Sequence, residues 1–302
     1  MNLLNIIRWK NLLMIAIVQL LIKYALFPAF AMETTLNTID FFVLILATVF
    51  IAAGGYVIND IYDIETDAIN KPSKVIIGKS ITENKANKLY FLFTITGVCL
   101  GFYLSHAVGR PPFFGLFVII SALLYVYASY LKQIAVAGNI VVSILVALSL
   151  LIVGIFELIP VITIENENVQ TTMLEILTDF GIFAFLINFI REIVKDIQDV
   201  DGDHKAGMQT LPILFGKTRT SKITMVLTII TILIILYYIT TFLYMHEVAV
   251  AYYLIAVVGP LIYITIKLYS AENNAHFKHI SLMLKLVMVS GMLSMVLYRI
   301  IL

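Results

Sequence analysis

Two acidic runs in this chain share one spacing. Asp60, Asp63 and Asp67 form D-x2-D-x3-D, and Asp196, Asp199 and Asp203 form it again, each aspartate 136 residues after its counterpart. Both runs end long apolar segments, and a carboxylate beside a bilayer is costly unless something holds it there. This spacing places three side chains on one face of a helix. Three carboxylates that close repel one another, and a divalent cation removes the repulsion. Magnesium takes carboxylate oxygens together with substrate phosphate and keeps several waters. Two such faces opposed across a cavity can bridge a pyrophosphate through metal ions, while nearby lysines and Arg191 neutralise the remaining charge. The six aspartates are therefore the candidate metal ligands and catalytic residues.

The chemistry this favours is ionisation. Pyrophosphate leaves readily once magnesium and basic residues carry its charge. If the organic part is an allylic prenyl chain, its departure leaves a delocalised carbocation, which a dry cavity protects from water. Aromatic rings such as Tyr125 and Tyr127 can face that cation. A plainer reading exists: one acidic run at a helix end is usually a solvated face or a cap, with Asp63 and Asp67 paired to Lys71 and Lys74. Two runs of one spacing, in a chain of which only 13% is charged, argue against it. The five histidines are scattered, and Cys99 lies in an apolar run and reads as packing.

The elements that position these residues are helices in a membrane. Of 302 residues, 61% are hydrophobic, and the mean hydropathy is +0.99; a soluble domain of this length carries about twice this fraction of charge. The net charge of +1 says nothing about partners, and no basic stripe suggests nucleic acid, so no nucleic-acid partner is expected. A single cysteine excludes an internal disulfide, and no Cys/His cluster suggests zinc or haem. Arg8, Lys10 and Ala29-Phe30-Ala31 imitate a cleavable signal peptide, but the intervening apolar run suits a membrane span better than a signal core.

Nine segments are long and apolar enough to cross, near 12–31, 39–58, 88–106, 112–131, 134–156, 174–193, 223–244, 248–268 and 281–301. With the N-terminus cytoplasmic, the loops 59–87, 132–133, 194–222 and 269–280 share its side. They and the adjoining helix ends hold most of the lysine and arginine, whereas Glu33, Asp40, Glu157, Glu165, Glu167, Glu175, Asp179 and Glu247 gather opposite. The positive-inside rule then puts both acidic runs on the cytoplasmic side, and the membrane expected is the plasma membrane. The longest irregular stretches are expected at 68–84, 158–172 and 200–220, of which the first and third border the acidic runs as lids or binding loops. No linker divides the chain, so residues 1–302 read as one all-α, polytopic membrane domain.

Asn59-Asp60-Ile61-Tyr62-Asp63-Ile64-Glu65-Thr66-Asp67 resembles the NDxxDxxxD motif of the UbiA superfamily of intramembrane prenyltransferases, and Asn70-Lys71-Pro72 follows where that family often has a basic-proline pair. The run from Arg191 to Asp203 is similar to the family's DxxDxxxD motif and continues into Lys205-Ala206-Gly207 and Thr210-Leu211-Pro212 in the same manner. The resemblance covers essentially the whole chain. It implies nine transmembrane helices bundled around a central cavity that opens laterally to the bilayer. In that cavity the six aspartates, joined by Asn59, hold two magnesium ions and a prenyl pyrophosphate, geranylgeranyl or similar. Lys71, Lys74, Arg191 and Lys195 become candidate pyrophosphate contacts, and Asn11 resembles a family asparagine near the acceptor site. One feature departs. Many members carry a tyrosine four residues before a lysine in the loop after the fourth helix; here Tyr127 precedes Lys132 by five, and Ala128 takes the four-residue position. Lys132 keeps its expected reach to the pyrophosphate, while Tyr127 is either a cation stabiliser or a packing residue.

The wording Arg191-Glu192-Ile193-Val194-Lys195-Asp196-Ile197 and the Gly202-Asp203 ending are most similar to the ether-lipid branch, the geranylgeranylglycerol-phosphate geranylgeranyltransferases, which alkylate a glycerol hydroxyl. The expected partners are thus a prenyl pyrophosphate, a lipophilic acceptor and the bilayer. An aromatic acceptor, as in quinone biosynthesis, is the alternative within the class, and haem farnesylation a more distant one. A transporter that uses intramembrane acids is the rival from another class; acids at helix ends rather than at mid-span count against it.

Overall fold

The computed structural model describes residues 2–73 and 75–301. Lys74, a candidate pyrophosphate contact, lies outside the described residues. The chain is helical almost throughout, and the described residues contain two isolated bridges, Ile77 with Ile81 and Ile134 with Gln209, but no strand. In order come α1 (Asn2–Ile6), α2 (Trp9–Ala29), α3 (Thr38–Tyr62), α4 (Ile64–Asn70), α5 (Glu83–Ala107), α6 (Pro111–Ser129), α7 (Ala137–Val161), α8 (Glu167–Lys205), α9 (Leu211–Phe215), α10 (Lys217–Leu243), α11 (Glu247–Tyr269) and α12 (Asn274–Ile300). All but α1, α4 and α9 are long and apolar enough to cross a membrane, nine among the described residues. Each coincides with one of the nine expected spans, and the protein is an integral, multi-pass membrane protein.

The helices outrun their apolar windows where they carry chemistry. α8 has 39 residues, about 58 Å at 1.5 Å per residue, so the stretches 167–172 and 200–205 are helical where loops are expected. α8 stops only at Gly207, whose φ of 72° is left-handed. There the Gly207 N–H donates to His204 O at 3.1 Å and the Met208 N–H to Asp203 O at 3.0 Å, the paired bonds that close a helix on a left-handed glycine. The first acidic run differs. α3 ends at Tyr62, Asp63 leaves the helical region (φ −97°, ψ 6°), and α4 restarts at Ile64. The single helical face expected for this triad is therefore jointed: Asp60 lies on α3, Asp63 at the joint and Asp67 on α4. The Thr66 hydroxyl donates to the Asp63 carbonyl at 3.0 Å, and such side-chain bonds compete with the helical ladder.

The residues group into two compact units. The first holds residues 1–20, 32–132 and 148–178. In it α3 and α5 approach closely through small residues: a Cβ on Gly97 would lie 2.6 Å from Ile51 Cγ1 and 3.0 Å from Ala47 O. Close backbone approach at small residues is how helices associate in lipid, where no hydrophobic drive separates helix from solvent. Gln19 ties α2 to α3 and α7, its Nε2 donating to Thr48 Oγ1 at 3.2 Å and to Ser149 O at 2.7 Å. Ile77 and Ile81 of the 71–82 loop are buried with Ile6, Val57 and Ala86, so this loop is anchored by apolar side chains.

The second unit holds residues 21–31, 133–147 and 179–302. Along α10, Thr220, Thr224 and Thr228 are buried with each hydroxyl donating to the carbonyl four residues back, the usual way a hydroxyl is satisfied inside a membrane helix. Ser221 Oγ donates to Leu268 O at 2.7 Å and joins α10 to α11. Tyr253 and Ser294 hydroxyls, 2.8 Å apart, join α11 to α12.

Candidate functional site

The first unit carries the first acidic motif, and two cations sit directly on it. Arg8 Nη2 donates to Asp60 Oδ1 at 2.8 Å, and Lys132 Nζ donates to Asp63 Oδ1 at 2.5 Å. Arg8 lies in the turn between α1 and α2 with a φ of 49°, a conformation that costs a non-glycine residue energy and persists where its surroundings hold it. The holding contacts are the ion pair, Tyr56, whose ring centroid is 5.0 Å from the guanidinium carbon, and the Asn11 N–H, which donates to Arg8 O at 2.8 Å. Asp63 is the hub. Asn59 Nδ2 donates to its other oxygen at 2.6 Å, and the Thr66 hydroxyl lies 3.2 Å from Oδ1. The joint at Asp63 thus turns its carboxylate toward Lys132 and Asn59 together.

Asp60 and Asp67 line one small recess with Ile64, Val75, Ile76 and Ile77. Burial pushes the Asp67 carboxyl above the usual carboxylate range, the charge of Asp63 adds to this, and Lys71 opposes it. Lys71 follows α4 with its N–H on Asp67 O at 2.8 Å. Beside the motif the Tyr62 and Tyr125 hydroxyls are 3.1 Å apart with their rings edge to face. Tyr127 is half-buried on α6.

The second unit carries the second motif on unbroken α8. Asp196 Oδ2 accepts from Asn139 Nδ2 of α7 at 2.8 Å. Asp203 is buried, Asp199 half-buried, and the Asp203 carbonyl serves the cap of α8. Arg191 and Lys195, expected at a pyrophosphate, both engage the buried Glu192, at 3.6 Å and 2.6 Å.

The structure therefore joins Asn59 and Lys132 through Asp63, pairs the neighbouring Asp60 with Arg8, and joins Arg191 to Lys195 through Glu192. Three members escaped the sequence reading. Arg8 is there only as a charge before an apolar run. Glu192 sits beside Arg191 and one turn before Lys195, a spacing that announces an ion pair. Asn139 is an amide inside an otherwise apolar span, which is itself a signal. Cys99, expected to pack, is exposed.

The donors suit a hard cation. Every candidate ligand is a carboxylate or amide oxygen, and Asp60 and Asp63 already accept cationic side chains. Among the described residues no three of His, Cys, Asp and Glu converge on one point. Magnesium does not require that, since it binds one or two carboxylates and completes its shell with phosphate and water.

Comparison with known proteins supplies the context. The sequence profile of the UbiA prenyltransferase family matches residues 20–288. A digeranylgeranylglyceryl phosphate synthase of Methanosphaera stadtmanae is 30% identical over 230 residues, 75% of each chain. The enzyme of that name from Sulfolobus acidocaldarius is 37% identical over 180 residues, 60% of this chain and 59% of that one. The match thus spans less than two thirds of the second relative. A solved structure described as digeranylgeranylglyceryl phosphate synthase in membranes superposes with a TM-score of 0.65 at 25% identity, over 100% of this chain and 98% of that one. A UbiA homologue from Archaeoglobus fulgidus, bound to GPP and Mg2+, shares the fold with a TM-score of 0.57 at 17% identity, over 98% and 99% of the two chains.

Proposed function

The chain belongs to the UbiA prenyltransferase family, and from that premise we propose that it transfers a prenyl group from a prenyl pyrophosphate to the hydroxyl of a glyceryl phosphate lipid. The observation that carries the reading is the first motif, in which adjoining carboxylates are held by cations of the kind a pyrophosphate attracts. The relatives named for digeranylgeranylglyceryl phosphate support the acceptor.

Asp60, Asp63 and Asp67 of the first motif and Asp196, Asp199 and Asp203 of the second would hold the two magnesium ions. Bound magnesium supplies charge neutralisation for the leaving pyrophosphate. The chain's own residues do the rest. Lys132 is poised on Asp63 and passes to the pyrophosphate oxygens as they gain charge, a charge-assisted contact that strengthens as the bond breaks. Lys71, Lys74, Arg191 and Lys195 bind the same group, and Asn59 keeps Asp63 oriented. The apolar helices take the prenyl tail and exclude water from the carbocation. Tyr127 and the Tyr62–Tyr125 pair offer ring faces to it. Asn11 positions the acceptor. Attack forms the ether bond, and the hydroxyl proton goes to the departing pyrophosphate, since no side chain is marked as a dedicated base. The lysine and arginine asymmetry supports an active site on the cytoplasmic side.

The test is transfer by the purified protein from geranylgeranyl pyrophosphate to geranylgeranylglycerol phosphate, with 4-hydroxybenzoate as the rival acceptor. An ether product supports the reading. An aromatic product alone retains the chemistry and discards the acceptor.

A further inference from the structure

The two motifs use their basic residues differently. In the first, cations rest on the carboxylates themselves, Arg8 on Asp60 and Lys132 on Asp63. In the second, Arg191 and Lys195 are drawn to Glu192, and the group that donates to Asp196 is the neutral amide of Asn139. Asn139 is 7% exposed, and one turn further along α7 Ser143 Oγ donates to the Asn139 backbone carbonyl at 2.6 Å and accepts from Asn188 Nδ2 at 3.2 Å. Ser143 and Asn188 are buried as well. The ladder ties α7 to α8 at two levels, through Asn139 to Asp196 and through Ser143 to Asn188.

The backbone before Asn139 is under strain. Val136 has a φ of 66°, which is left-handed and unfavourable for a β-branched residue. The Ala137 N–H donates to Ala135 O at 2.8 Å, closing a three-residue turn directly before α7. Strain of this kind survives where the surroundings over-determine it, and such places cluster at functional sites. Here the turn sets the first turn of α7, and Asn139 with it, against Asp196.

The chemical consequence follows from charge. A guanidinium or ammonium cancels the charge of the carboxylate it touches, and an incoming cation must displace it. A neutral amide orients a carboxylate, satisfies one oxygen and leaves the charge uncancelled. We propose that Asn139 is a positioning residue that makes Asp196 the point at which the second motif takes a divalent cation before substrate arrives. The first motif takes one only together with the pyrophosphate, whose charge draws Arg8 and Lys132 off Asp60 and Asp63. This ordering rests on the reading that both motifs hold divalent cations.

The experiment is a Mn2+ titration followed by electron paramagnetic resonance on the full chain in nanodiscs, without prenyl pyrophosphate. Wild type binds Mn2+. Asp196→Asn and Asn139→Ala weaken binding about tenfold or more, the order expected when a ligand or its orienting partner is lost, and Asp60→Asn changes it by less than about twofold. Ser143→Ala keeps the amide but removes the tie to Asn188 that seats α7 against α8 beside it, and loses about two- to fivefold, a smaller step on the same scale. Asn139→Ala added to Asp196→Asn costs nothing further, because both act through one carboxylate. Thermal unfolding reports folding, and Ser143→Ala carries the test if Asn139→Ala does not fold. Equal losses for Asp60→Asn and Asp196→Asn, unchanged binding in Asn139→Ala and Ser143→Ala, or additive losses in the double variant would each overturn the ordering. Wild type that transfers prenyl groups with magnesium yet binds no Mn2+ alone would overturn it and leave the enzymatic reading intact. Mn2+ binding as described, without any transfer, would support the ordering and count against that reading.

Discussion

At the residue scale the protein is a set of carboxylates held ready by unlike partners. Asp63 has the densest surroundings, with Lys132, Asn59 and Thr66 all in contact. Asp63→Asn keeps the size and some of the hydrogen bonds but removes the charge that Lys132 and a metal share. Turnover is expected to fall by about 10²-fold or more, the loss seen when one electrostatic element of an active site goes. Asp199→Asn should behave alike in the second motif. Circular dichroism and the melting temperature should change little in both, because these side chains do not build the helix packing. Full activity in both variants would remove the proposed site. The aspartates were legible because six acids of one spacing have little business at the ends of apolar helices. Their partners Arg8 and Asn139 were not, because each lies far in sequence from the acid it touches.

At the element scale, one spacing has produced two structures. The first motif is jointed at Asp63 and the second runs through an unbroken helix. Thr66 explains part of the difference, since its hydroxyl holds the Asp63 carbonyl. The matching position in the second motif, 136 residues on, is Gly202, which has no hydroxyl. Helical periodicity alone is blind to this, and so the common face inferred for both motifs holds on a continuous helix only for the second. The end of α8 rests on Gly207. Gly207→Ala must place a Cβ at a φ of 72°, which costs about 1 kcal/mol. The expected result is a slightly lower melting temperature and a few-fold loss of turnover, as the last turn carrying Asp203 frays. Gly97→Ala tests the scaffold of the first motif. Its Cβ would meet Ile51 and the Ala47 carbonyl of α3 inside 3.1 Å, and overpacking of this sort costs about 1–3 kcal/mol. Thermal unfolding in detergent should register that loss, and unchanged stability would mean that α3 and α5 are not so closely packed.

At the scale of the whole molecule, hydropathy did most of the work. All nine spans were legible because a bilayer requires long apolar helices and little else produces them. Their ends were less so, since α8 keeps its hydrogen bonds well beyond the apolar stretch that reveals it. Sidedness rests on the lysines and arginines and is open to direct test. On a Cys99→Ser background, Lys79→Cys and Glu165→Cys place single thiols at exposed positions in loops assigned to opposite faces. In right-side-out vesicles an impermeant maleimide should label Glu165→Cys and spare Lys79→Cys. The reverse pattern would move the active site to the outer face.

The central claim is magnesium-dependent prenyl transfer to a glyceryl phosphate lipid. Its most direct test is mass spectrometry of products from purified protein given geranylgeranyl pyrophosphate and geranylgeranylglycerol phosphate, first stripped with EDTA and then resupplied with magnesium. The account predicts no product from stripped protein, an ether-linked product on resupply, and none from Asp63→Asn under either condition. Ether product that persists in EDTA, or wild type that makes none with magnesium present, would contradict it.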